Sequence, residues 1–104
     1  MENVVEILEM PYKISSVVLE NFTSPEYFIV INIYRVLNRT DAYSIVFNEV
    51  SNLNISSSEY TYSDESAITI EDISSRQMEN VTYKVAISED VMSFYCKSVH
   101  LFND

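Results

Sequence analysis

Cys96 and His100 are the chain's one thiol and one imidazole, the nearest it comes to a nucleophile and its base. A thiol and its base must meet at about 3 Å. On a strand, side chains four residues apart share a face but stand roughly 13 Å apart along it, so this spacing excludes an intrachain dyad. Two Cys or His ligands in all also fall short of the four that structural zinc takes. Adjacent acids occur at Asp64-Glu65, Glu71-Asp72 and Glu89-Asp90. Neighbours on a strand point to opposite faces, so none of these pairs forms a chelate by itself. They read as solvated surface acids. Carboxylate pairs of the glycosidase kind are geometrically open to a chain with sixteen acids. That chemistry wants a concave cleft with stacking aromatics, however, and the chain has no Trp. Glycine is absent as well, which excludes the phosphate-cradling P-loop, the dinucleotide fingerprint and the EF-hand loop. The expectation is a protein without catalysis, metal or cofactor.

Recognition is the chemistry that remains. Residues 56–66, SSSEYTYSDES, form the most polar segment and combine Glu59, Asp64 and Glu65 with Tyr60 and Tyr62. Tyrosine is favoured in binding surfaces because it presents a large area and a hydroxyl at little entropic cost. The acids beside it suit Arg or Lys on a partner. These five residues are the expected partner-binding site. The plainer reading is a polar connector whose tyrosines fold back onto the core. Sixteen acidic against six basic residues give a net charge of −10. Such a chain repels nucleic acid and anionic membranes, and attracts a basic protein over long range. Charge of this size also serves solubility alone.

The elements that must position this segment are β-strands. At 104 residues and 47% apolar, with eight Tyr and five Phe, the chain suits a single domain over residues 1–104. Asn3 to Glu9 predict a short helix, with Asn3 as cap and Val4, Ile7 and Leu8 on one face, closed by Pro11. From there the period is two. Residues 13–20, 27–36, 42–48, 52–56, 67–73, 81–88 and 91–102 predict seven strands. Ser24-Pro25 turns the first pair into a hairpin, Asn38 to Asp41 read as a polar turn, and Glu89-Asp90 as a tight turn. The run 27–36 is apolar on both faces, which predicts a central strand covered on both sides. Val81, Tyr83, Val85 and Ile87 alternate with Thr82, Lys84, Ala86 and Ser88, the pattern of a half-buried strand. No helix-length segment separates the strands, so they pair antiparallel. The expected fold is all-β, with one short N-terminal helix, as a mostly antiparallel β-sandwich or open barrel.

The longest apolar stretch without charge, Tyr27 to Tyr34, is about half a membrane span. The start carries Glu2, Glu6 and Glu9 and no basic residue, unlike a secretory signal. The four N-x-S/T triplets at Asn21, Asn38, Asn54 and Asn80 are then chance occurrences in a chain rich in Asn and Ser. A lone cysteine fits a reducing compartment, so a cytoplasmic location is expected.

The run Tyr43-Ser-Ile-Val-Phe-Asn-Glu-Val-Ser-Asn-Leu-Asn-Ile55, with Phe94-Tyr-Cys-Lys-Ser-Val99 near the end, resembles small bacterial immunity proteins of polymorphic toxin systems. Those share a strand ending in Phe, a Val three residues later, a Leu-x-Ile strand and a Phe-x-Cys core. The resemblance implies a cytosolic β-rich domain that binds and blocks one toxin, and it carries over no site residue. Two functions follow as expectations. The first is a protein-binding inhibitor or immunity protein facing a basic toxin such as a nuclease. The second is a structural or assembly β-protein, a phage or secretion-system component, that oligomerises through strand edges. Neither calls for nucleic acid or membrane, and the oligomeric state is left open.

Overall fold

The computed structural model describes residues 2–20, 27–55, 67–76, 81–88 and 92–102. Over these residues the chain runs α1 (Glu2–Leu8), β1 (Tyr12–Glu20), β2 (Phe28–Arg35), β3 (Asn38–Asn48), β4 (Ser51–Ile55), β5 (Ile68–Asp72), a 3-10 turn (Ser74–Arg76), β6 (Tyr83–Ile87), β7 (Met92–Cys96) and β8 (Ser98–Leu101). The eight strands form two antiparallel four-stranded sheets, ordered β1-β2-β3-β8 and β4-β7-β6-β5. The all-β expectation holds, as an open two-layer arrangement rather than a closed barrel.

Period-two burial builds the core between the sheets. Ile29, Ile31 and Ile33 of β2, Ile45 and Phe47 of β3, Val85 and Ile87 of β6, and Phe94 and Cys96 of β7 are all sealed from solvent. Phe47 from one sheet meets Phe94 from the other edge-to-face, with centroids 5.3 Å apart and planes at 80°. That geometry aligns ring edge with ring face and adds to plain burial. The helix covers an end of the core with Val4 and Ile7. It begins at Glu2, which places Asn3 inside the first turn rather than at the cap.

The two sheets are continuous along one side. β3 passes into β4 through Glu49 and Val50, and β7 passes into β8 through Lys97. The two bent strands stay paired across the corner: Asn48 opposes Ser98, Ser51 opposes Tyr95, and the Lys97 N–H donates to the Asn48 carbonyl at 3.0 Å. Glu49 makes the bend with φ 51°. A non-glycine residue pays roughly 1 kcal/mol or more for that region, and a chain without glycine has no cheaper choice. Lys97 Nζ lies 3.5 Å from Glu49 Oε2, but both side chains are wet, so the pair contributes little.

On the opposite side the edge strands β1 and β5 meet through a side chain. The Ile68 N–H donates to the Tyr12 hydroxyl at 2.7 Å. Burial pushes the Tyr12 phenol above its ordinary value of 10.0, more than the Ile68 N–H holds it down. A raised phenol favours the protonated fold. Its contribution is therefore present below about pH 10 and is lost as pH climbs through the raised value. Tyr12→Phe leaves a backbone donor unpaired and should cost about 1–2 kcal/mol in urea unfolding. The variant should also lose less stability than wild type between pH 9 and 11.

Other sequence expectations about the strands are corrected. The run 91–102 breaks at Lys97 into β7 and β8, so that eight strands lie among the described residues where about seven are expected. The Asn38–Asp41 stretch is the start of β3, and the chain turns at Val36 and Leu37 instead. β2 does lie between β1 and β3, but only one face is sealed; Phe28, Val30 and Tyr34 on the other are half-buried. The turns expected at Ser24-Pro25 and Glu89-Asp90 fall outside the described residues.

Candidate functional site

Glu59, Tyr60, Tyr62, Asp64 and Glu65 all lie outside the described residues. Their anchors are described. Ile55 opposes Met92, Met92 opposes Ile87, and Ile87 opposes Ile68, so β4 ends and β5 begins in the same row of one sheet. Three inter-strand steps separate the anchors, roughly 14 Å. The connection from Ile87 to Met92, which carries Glu89 and Asp90, leaves from that same row.

The thiol and the imidazole part company. Cys96 ends β7 with its side chain in the core, at 0% exposure, and burial pushes its pKa up to about 12. His100 is exposed on β8, where Nδ1 shares a 2.9 Å hydrogen bond with Asn48 Nδ2. The bend at Lys97 puts them in different sheets, so they do not share a face as an unbroken strand would require. A thiol reagent at pH 8 should label Cys96 only as fast as the protein opens, with the rate rising steeply in denaturant. Labelling of the native protein at the rate of a free thiol would contradict this burial.

Several other polar groups pair within the fold. Asn32 sits between Ser16 and Ser44 on the open face of the first sheet; its Nδ2 donates to Ser16 Oγ at 2.8 Å and its Oδ1 accepts from the Ser44 hydroxyl. Ser15 Oγ donates to the Asn32 carbonyl at 3.0 Å. Arg35 Nε stands 3.2 Å from Asp41 Oδ2 without aiming a hydrogen bond at it. The guanidinium also lies over the Tyr43 ring at 5.5 Å. The Tyr43 phenol is held above its ordinary value, first by its hydrogen bond to Asp41 and then by burial. Asp72 is held below the usual carboxylate range by the Ser74 N–H and hydroxyl, at 2.9 and 2.7 Å. Among the described residues no three His, Cys, Asp or Glu side chains gather as a metal site. No described helix is long and apolar enough to cross a membrane.

The second sheet differs on its solvent face. Ser51 pairs with Tyr95 and Asn54 with Ser93, so β4 carries one residue more than β7 over the same interval. The extra residue bulges at Asn52, which takes φ 51°. Beside this bulge Asn52, Asn54, Lys84, Ser93, Phe94 and Tyr95 line a groove of about 210 Å³. The alternation of 81–88 places Lys84 on the wet face from sequence alone. The bulge and the pairing that bring β4 to it carry no such signal.

A family model described as immunity protein PIM8 matches residues 3–101. No curated protein and no solved structure matches the chain.

Proposed function

Because the chain belongs to the immunity protein PIM8 family, we propose that it neutralises one protein toxin by binding it, without catalysis of its own. The match over residues 3–101 carries this reading. The two runs with the immunity-protein resemblance, 43–55 and 94–99, are the strands that pair and bend together at the corner, which ties the resemblance to the part that joins the two sheets. The location in this reading is the cytoplasm, where an immunity protein meets a toxin made by or delivered into the cell.

The toxin is basic in this proposal, for instance a nuclease. A net charge of −10 favours such a partner. Glu59, Asp64 and Glu65 with Tyr60 and Tyr62 form the acidic part of the interface. Five acids, Glu59, Asp64, Glu65, Glu89 and Asp90, belong to two connections anchored in one row of the second sheet. That common anchorage supports a single acidic end over acids scattered round the molecule. Complementary charge speeds encounter, and a tyrosine anchor slows release.

Replacing Glu59, Asp64 and Glu65 together with Ser should slow association with the toxin from the adjacent gene by roughly tenfold or more at low salt, and flatten its salt dependence. Stability should change by under about 1 kcal/mol. Tyr60→Ala should act on dissociation instead. An unchanged association rate at low salt would remove this segment from the interface.

A further inference from the structure

We propose that the groove beside the β4 bulge is a pocket for one carboxylate, and that on the toxin this group is an Asp or Glu side chain. The second half rests on the immunity reading; the first does not.

Lys84 is the starting observation. Of the basic side chains described, Arg35 pairs with Asp41, Lys97 pairs with Glu49, and Lys13 has a partner of its own. Lys84 makes no ion pair among the described residues, although Glu71 opposes it in the strand register. A lysine that makes no ion pair among the described residues stands out in a chain with sixteen acids. Its surroundings are the second observation. Asn52, Asn54, Ser93 and Tyr95 line the same groove, and no side-chain polar group of theirs is spent on a hydrogen bond among the described residues. Polar side chains on the other sheet's open face, at Ser16, Asn32 and Ser44, satisfy one another instead.

Lys84 supplies up to three donors and a full charge, while each Asn supplies an NH₂ and Ser93 and Tyr95 a hydroxyl. Such a set suits an acceptor with two oxygens and a negative charge, since charge-assisted hydrogen bonds are roughly twice as strong as neutral ones. One lysine balances one charge, which favours a carboxylate over a doubly charged phosphate in so acidic a molecule. Volume points to a side chain. About 210 Å³ lies below the roughly 300–1,000 Å³ of drug-sized ligand sites. The bulge is what opens the space, because Asn52 leaves the regular ladder there. A partner drawn in by the acidic field would thus be held in register by a contact of opposite sense, which a merely basic protein cannot make.

Two measurements test this. The first is a ¹⁵N-HSQC titration of the purified protein with N-acetylglutamate α-methylamide, whose one carboxylate is the side chain's, and in parallel with N-acetylglutamine α-methylamide, which has none. The carboxylate compound should shift the Lys84, Ser93 and Tyr95 amides saturably, the amide compound should not, and Lys84→Met should abolish the response while keeping its near-UV circular dichroism. Equal shifts with both compounds, or the same shifts in Lys84→Met, would overturn the pocket. The second measures dissociation from the toxin encoded by the adjacent gene. Lys84→Met should release roughly ten times faster, and Tyr95→Phe should release faster to a smaller extent. Unchanged release in both variants would remove the pocket from the interface and leave the immunity reading standing. A wild-type protein that fails to bind the toxin would instead overturn that reading, with the titration still deciding whether the pocket takes a carboxylate.

Discussion

Val85→Asp should leave little folded protein. Val85 is 0% exposed on β6, between Ile70 of β5 and Phe94 of β7. A carboxylate there has no partner and no water, at a cost of about 4 kcal/mol or more. The whole stability of a domain of this size is roughly 5–15 kcal/mol. Lys84→Asp, one residue earlier on the solvent face, places an acid across from Glu71 and should cost about 1 kcal/mol or less. Urea midpoints separate the two substitutions. Equal shifts would contradict the assignment of faces in β6.

Phe94→Ala should cost about 3–5 kcal/mol, because it opens a cavity where the two sheets meet. Phe94 is 1% exposed and Phe47 is 0%. Their edge-to-face contact also predicts coupling. Phe47→Leu and Phe94→Leu, singly and together, form a double-mutant cycle with an expected interaction of about 0.5–1.5 kcal/mol. Strictly additive losses would show that the rings stabilise the fold by burial alone.

β6 and β2 were legible because their burial follows the alternation of residue types. Val85 and Ile87 face in where the pattern of 81–88 puts them, and Ile29, Ile31 and Ile33 do the same on β2. The corner was harder, though it leaves a trace. The inward positions are even-numbered at Met92, Phe94 and Cys96, then odd at Val99 and Leu101, a slip of phase at Lys97. A run of period two without a glycine or proline in it reads as one strand, and a single slip of phase does not by itself mark a corner. The turn at Val36 and Leu37 is hidden for the opposite reason. Apolar Val36 extends the strand pattern of 27–36, and the polar Asn38–Asp41 suggests a turn, yet Leu37 is 90% exposed and the strand resumes at Asn38. Hairpin geometry outweighs propensity there. Of the candidate sites, Lys84 could be placed on a wet face from its neighbours. The groove around it could not, since it depends on a bulge in β4 and on pairing between strands roughly forty residues apart. The acidic tyrosine-bearing segment, by contrast, was visible only in the sequence, as charge and composition at Glu59 to Glu65.

Neutralisation by binding is tested most directly by a stoichiometric titration. A fixed amount of the toxin that the immunity reading expects from the adjacent gene is mixed with increasing amounts of this protein, at concentrations well above the dissociation constant, and residual toxin activity is read. Residual activity should fall linearly and end at a fixed molar ratio of the two proteins. Full inactivation by a small fraction of that ratio, growing with time, would reveal catalysis, and activity unchanged at large excess would contradict the immunity role itself.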